Sequence, residues 1–258
     1  MTHAVVSSAL EIRDLRLRVA QTDILCGISM SIHAGERIGV IGPNGAGKST
    51  LFDLISGRQK PSSGQVLLGG QRIDGQQAFE VNRLGLARSF QISQLFPKLS
   101  VYENLRCGVM WSLGYRYTFW KFLADMTDVN QRAYELMHLL QLDHVRDALA
   151  MNLSYAQQRT LDIGITVAGN AAVLLLDEPT AGMSRSETRR FMTLLNALTV
   201  GKTLLLVEHD MSVVFGLADK IAVLVQGQLL AFDTPESVRA DARVQQAYLG
   251  LELAQPAA

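Results

Sequence analysis

Gly42-Pro43-Asn44-Gly45-Ala46-Gly47-Lys48-Ser49-Thr50 is the stretch whose residue types and spacing most plainly carry chemistry. Gly42 to Ser49 fits G-x-x-x-x-G-K-[ST], and it stands between an apolar run, Arg37 to Ile41, and the segment Leu51 to Ser56. That context predicts a strand, a tight loop and a helix that Gly57 can end. Glycines let successive backbone N–H groups turn toward one anion, and the helix that follows adds its positive end. The chemistry is phosphate binding, with Lys48 reaching β- and γ-phosphates and Ser49 ligating Mg²⁺. Such a site needs a second, acidic element. Val173-Leu174-Leu175-Leu176-Asp177 supplies it. It is expected as a strand beside the phosphate-loop strand, bringing Asp177 to the metal. Glu178 follows directly, and a carboxylate that does not bind metal can polarise an attacking water.

The elements that must position these groups are legible in outline. Leu10, Ile12, Leu15, Leu17 and Val19 alternate as a strand with one slip of register, and Ile28, Met30 and Ile32 alternate as a second. Pro61-Ser62-Ser63-Gly64 is a turn before a strand over Gln65 to Leu68. From about Ser100 to Ala168 the pattern is helical, with Ser100 and Glu103 spaced as a capping box and Arg132 to Leu142 amphipathic. Ser184 and Glu187 form a second capping-box pair, opening a helix to about Leu198. Strands are expected over Thr203 to Val207, Lys220 to Val225 and Leu229 to Phe232, and Thr234-Pro235 reads as a helix start. Strands dominate both ends and helices the middle. The expected architecture is one α/β domain with an inserted helical subdomain.

Three further segments carry a family resemblance over essentially the whole chain. They are Leu153-Ser154-Tyr155-Ala156-Gln157-Gln158-Arg159, Arg88-Ser89-Phe90-Gln91, and His209 after the strand that follows Glu178. Together they resemble the ATP-binding subunits of ABC transporters. Ala87 to Gln91, Leu95-Phe96-Pro97, Asp177 to Met183, Val207 to Met211 and Ala247 to Gly250 are similar in wording to importers of branched-chain and other hydrophobic amino acids.

The resemblance implies a single ABC ATP-binding domain over residues 1–258, an α/β fold with a phosphate-loop NTPase core, an antiparallel β subdomain and an inserted helical subdomain at roughly 92–168, using ATP and Mg²⁺. Two such subunits, alike or different, would sandwich two ATP molecules head to tail. Each phosphate loop, Gly42 to Thr50, would face Ser154, Ala156 and Gln157 of the other subunit. Glu178 would be the general base and His209 would contact the γ-phosphate and align the water. Gln91 would touch Mg²⁺ or the water and join Ser49 and Asp177 as a metal residue. The implied partners are membrane-spanning permease subunits and a solute-binding protein. The implied place is peripheral, on the cytoplasmic face of the inner membrane. Other cargoes fit the same motifs: urea, an aromatic acid, or an envelope lipid moved outward.

Three positions depart from the family pattern. Val19 falls where an aromatic ring usually stacks on adenine, and no Phe, Tyr or Trp precedes Phe52. Ala156 replaces the second glycine of the signature, and Ser184 stands where Asp or Asn is usual. The aromatic cluster Trp111 to Phe122 serves equally as a contact surface or as core packing.

Composition narrows the remaining choices. With 258 residues and 48% hydrophobic content, the chain has ample material for a core. No apolar run approaches the ~18 residues of a membrane span, and the start reads as no signal peptide. Cys26 and Cys107 are the two cysteines, set far apart, so neither a disulfide framework nor a metal spacing arises and a reducing cytoplasm is expected. Lys+Arg and Asp+Glu both total 24, which argues against a nucleic-acid partner. A soluble ABC ATPase acting on nucleic acid or ribosomes would usually carry two ATPase halves or a long coiled coil. A small GTPase would carry Asn-Lys-x-Asp, which is absent here.

Overall fold

The computed structural model describes residues 8–89, 95–115 and 125–252. Gln91, most of the aromatic cluster and the last six residues lie outside that set. Backbone contacts divide the chain into two compact units. One holds the chain to Leu86, Ala172–Glu178 and the chain from Gly201; the other holds Ala87–Ala171 and Pro179–Val200.

The first unit contains two sheets. In the smaller, β1 (Ser8–Val19) pairs antiparallel with β2 (Thr22–His33) and with β4 (Ser63–Leu68), and β5 (Gln71–Arg72) adds to β4. Leu10, Ile12, Leu15 and Leu17 of β1 are buried. The expected slip falls between Ile12 and Leu15, where Asp14 takes a positive φ of 44°. Aspartate tolerates the left-handed region better than most residues. The extra residue returns the apolar side chains to one face.

The larger sheet uses β3 (Arg37–Ile41), β6 (Leu86–Arg88), β7 (Val173–Asp177), β8 (Thr203–Val207), β9 (Lys220–Val225) and β10 (Gln228–Asp233). Its order is β10-β9-β3-β8-β7-β6. β9, β3, β8 and β7 run parallel, and β10 turns back antiparallel on β9. Every residue of β7 and β8 is buried, the signature of parallel strands covered on both faces.

This order corrects one expectation. The acidic strand β7 is not the neighbour of the phosphate-loop strand β3; β8 lies between them. VLLLD and TLLLV are both five-residue runs around three leucines, so either suits the place beside β3, and chain order does not decide it.

Helix α1 (Lys48–Ile55) leaves the phosphate loop with Leu51, Phe52, Leu54 and Ile55 buried. Phe52 shares one core with Leu10 and Ile12 of β1 and with Leu175, Leu205 and Leu224 of the parallel strands. Burying such a ring contributes about 1.5–3 kcal/mol, so the loop is anchored through its own helix. The unit also carries α2 (Ala78–Arg83), α7 (Met211–Leu217), α8 (Pro235–Ala240) and α9 (Ala242–Glu252). Thr234 caps α8 ahead of Pro235, as expected.

The second unit is built on α3 (Val101–Ser112), α4 (Thr127–Leu139), α5 (Tyr155–Ala168) and α6 (Arg185–Leu198). α3 packs on α4 and α5. Ser100 and Glu103 form their capping box: the Ser100 N–H donates to Glu103 Oε2 at 2.7 Å and the Glu103 N–H to Ser100 Oγ at 3.2 Å. Fully buried Asn104 ties down the preceding turn. Its amide donates to the carbonyls of Phe96, Leu99 and Ser100 and accepts from the Phe96 N–H. α6 groups with these helices although it lies outside 92–168.

Candidate functional site

Register places three strand ends side by side. Val40 of β3 pairs with Val207 of β8, and Val207 pairs with Asp177 of β7. Gly42, Glu208-His209 and Glu178 therefore continue from neighbouring strand ends. In open α/β sheets this carboxyl edge is where ligands bind.

The phosphate loop is held from three sides. Gly42 has φ 154°, and a Cβ there would sit 2.1 Å from the Leu224 carbonyl oxygen, so only glycine fits against β9. Lys48 is 7% exposed, and its ammonium donates to the carbonyls of Gly42 at 2.6 Å and Pro43 at 3.0 Å. At the β9–β10 turn, the Gly227 N–H donates to Ala46 O at 3.1 Å and Gly227 O accepts from the Cys26 N–H at 2.8 Å. Gly227 has φ 75°, and a Cβ there would lie 2.3 Å from Ile24 O.

Helix α1 opens without a side-chain cap. Its N-cap is Gly47, left-handed at φ 99°, and no acidic residue occupies its first turn. Its leading N–H groups and positive dipole end suit an anion. Burial pushes the Lys48 ammonium below its ordinary range, while the charges of Glu178 and Asp177 oppose that shift. An anionic ligand would oppose it further.

The acidic pair divides by environment. Asp177 is buried at the end of β7. Glu178 takes φ 47°, a conformation uncommon for a non-glycine residue, and its N–H donates to Val207 O at 2.9 Å. Its Oε1 lies 2.8 Å from His209 Nε2, and half of the His209 side chain is exposed. With Glu178 ionised, Nε2 is the donor. No cluster of three or more His, Cys, Asp or Glu among the described residues forms a metal cage. The oxygen donors at hand, the Ser49 hydroxyl and the Asp177 carboxylate, suit Mg²⁺ held largely by phosphate and water.

Ser154, Ala156 and Gln157 lie in the helical unit, at the start of α5. Ser154 caps that helix: the Gln157 N–H donates to Ser154 Oγ at 3.3 Å and the Ser154 N–H to Gln157 Oε1 at 2.9 Å. Tyr155 is half exposed, and its hydroxyl accepts from buried Arg159 at 3.0 Å. Ala156 is absent from the residues of positive φ, as expected at a helix start. Ala156→Gly is therefore expected to leave ATP turnover within about twofold, the glycine costing at most about 1 kcal/mol of helix stability. A much faster steady-state rate in that variant would count against it. Ser184 caps α6 with Glu187 in the same way.

Comparison with known proteins decides the family. The description of the ABC transporter family matches residues 25–181. The chain belongs to the ABC transporter family. A second description, that of the branched-chain amino acid ATP-binding cassette transporter, matches residues 228–253. The chain is 34% identical to the high-affinity branched-chain amino acid transport ATP-binding protein LivG of Escherichia coli, over 93% of this chain and 97% of LivG. It is 32% identical to BraF of Pseudomonas aeruginosa, over 93% of this chain and 97% of BraF. Among solved structures it superposes on the ADP conformation of the ATP-binding cassette MJ1267. The TM-score is 0.81 at 29% identity, covering 94% of this chain and 99% of that one. CbiO1 of Clostridium perfringens gives 0.78 at 28% identity, covering 96% of each chain. As an ABC ATP-binding cassette, the protein is a nucleotide-binding subunit of a transport system. No described helix is long and apolar enough to cross a membrane.

Glu208 falls inside the Val207 to Met211 segment and takes no role from the motifs. The structure buries it at the site, 4% exposed. The available signal was a carboxylate directly after an apolar strand, the pattern already used for Glu178.

Proposed function

We propose that the protein is the ATP-hydrolysing subunit of an importer for branched-chain or other hydrophobic amino acids, or related small solutes. The observation that carries the ATPase reading is the 2.8 Å contact between Glu178 and His209, beside the phosphate loop on one sheet edge. The cargo reading is supported by the transport systems for which LivG and BraF are named, and by the match over 228–253.

In this reading residues 1–258 work as one ABC domain. Gly42 to Thr50 cradle the phosphates of ATP, with Lys48 on the terminal ones. Ser49, Asp177 and Gln91 would hold Mg²⁺, which when bound offsets phosphate charge. Glu178 takes a proton from the attacking water as general base, and His209 holds Glu178 and orients that water. Ser154, Ala156 and Gln157 would meet the nucleotide of a second ATPase subunit through the positive end of α5. Separate permease subunits would carry the cargo across the inner membrane, this chain docking on their cytoplasmic side, with a solute-binding protein in the assembled system.

Val19, at the end of β1, is 50% exposed and has no ring to offer a base. Base–aromatic stacking is worth about 1–3 kcal/mol and tolerates any base. Val19→Tyr is therefore expected to tighten ATP and GTP alike, by about tenfold or more, leaving their ratio unchanged. Unchanged affinity for both nucleotides in that variant, read by equilibrium titration, would refute this.

The deciding experiment is a tagged pull-down from gently solubilised membranes, with every co-purifying chain identified. Multi-spanning proteins, a second ATPase and a solute-binding protein are expected. Ribosomal or DNA-bound partners, with none from the membrane, would overturn the transport reading and leave the ATPase chemistry standing.

A further inference from the structure

Glu208 continues β8, the strand between the phosphate-loop strand and the acidic strand. It is 4% exposed, whereas the next residue, His209, has a half-exposed side chain. Burying an ionised carboxylate is expensive unless polar partners receive it. One partner is the main chain of the loop it begins: the His209 N–H donates to Glu208 Oε2 at 3.2 Å. The far end of that short loop is tied as well, because Asp210 caps α7, its Oδ1 accepting from the Ser212 N–H at 2.8 Å. His209 thus stands between two carboxylates that each hold backbone. Its imidazole meets Glu178 Oε1 through Nε2 at 2.8 Å.

We propose that Glu208 is a positioning residue for hydrolysis. By accepting the His209 backbone N–H it fixes where the imidazole meets Glu178, without itself touching nucleotide or water. The inference rests on the roles given above to Glu178 and His209.

The test uses the full-length protein. Glu208→Gln and Glu208→Leu are each made with His209 present and in a His209→Ala background. Nucleotide affinity is read by equilibrium titration and hydrolysis by single-turnover phosphate release. Gln keeps an acceptor, so hydrolysis is expected within about twofold of the parent; Leu is expected to slow it about tenfold with affinity unchanged. In the His209→Ala background Leu is expected to add less than about twofold, because coupled residues are not additive. Equal slowing by Leu in both backgrounds, or no slowing at all, would overturn the proposal. If Glu208→Leu does not fold, Glu208→Met, of similar length and without an oxygen acceptor, takes its place under the same criteria. An unaffected His209→Ala would instead sink the underlying reading of His209, a result the two-background design separates from failure of Glu208.

Discussion

Glu178→Gln is expected to bind ATP as tightly as the parent protein and to hydrolyse it about 10²–10⁴ times more slowly. The substitution preserves shape. Its side-chain carbonyl can still accept from His209 Nε2, so the 2.8 Å contact can survive. The left-handed backbone at position 178 is set by its neighbours and is untouched. Lys48 keeps its two carbonyl partners, and the loop that meets the phosphates is unchanged. What disappears is the basic lone pair proposed to take the proton of the attacking water. Equilibrium titration should return the parent affinity while phosphate release nearly stops. ATP-dependent dimers should then accumulate on size exclusion, since the ligand that joins them is no longer consumed. Normal turnover would remove Glu178 from the role of base.

Lys48→Ala is expected to lose nucleotide binding itself, by about 30-fold or more. Two effects act together. In the proposed reading the ammonium is the positive charge beneath the terminal phosphates, and in the structure it holds the Gly42 and Pro43 carbonyls at 2.6 and 3.0 Å. Alanine removes the charge and leaves both carbonyls in search of a donor. Because α1 remains anchored by Phe52, the fold should persist, which circular dichroism can verify. An affinity within about threefold of the parent, measured by titration, would remove Lys48 from the phosphate contact. The two variants thus divide the site: one separates hydrolysis from binding, the other abolishes both.

The parts of the fold that were legible in the sequence share a physical cause. The strand–loop–helix from Arg37 to Ile55 is readable because a chain can wrap an anion only where glycine permits it. The slip in β1 is readable because a buried face forbids two polar residues in succession without a bulge, here at Asp14. The capping boxes at Ser100 and Ser184 are local and were found at the expected spacing. The order of β3, β8 and β7 was not readable, since apolar runs of one length and character are interchangeable to any local pattern. The grouping of α6 with the helical unit was hidden for a related reason: it depends on contacts far apart in the chain. Burial of Glu208 was missed because a lone carboxylate after a strand is ordinarily solvated, whereas this one follows a strand that lies inside the sheet between β3 and β7.

Gly227 gives the C-terminal portion a reach beyond its own sequence. The loop and proposed catalytic residues named above all lie before residue 211, yet the phosphate loop hangs on this turn through Ala46, and the turn is itself held to β2 through Cys26. A chain cut just ahead of position 227 would retain the loop, both carboxylates and the imidazole while losing the brace that keeps the loop in shape. Inheritance at this locus is therefore constrained from a distance. A bulky replacement in an apparently ordinary hairpin is expected to behave as a null allele, and a fragment carrying every signature motif need not carry the activity.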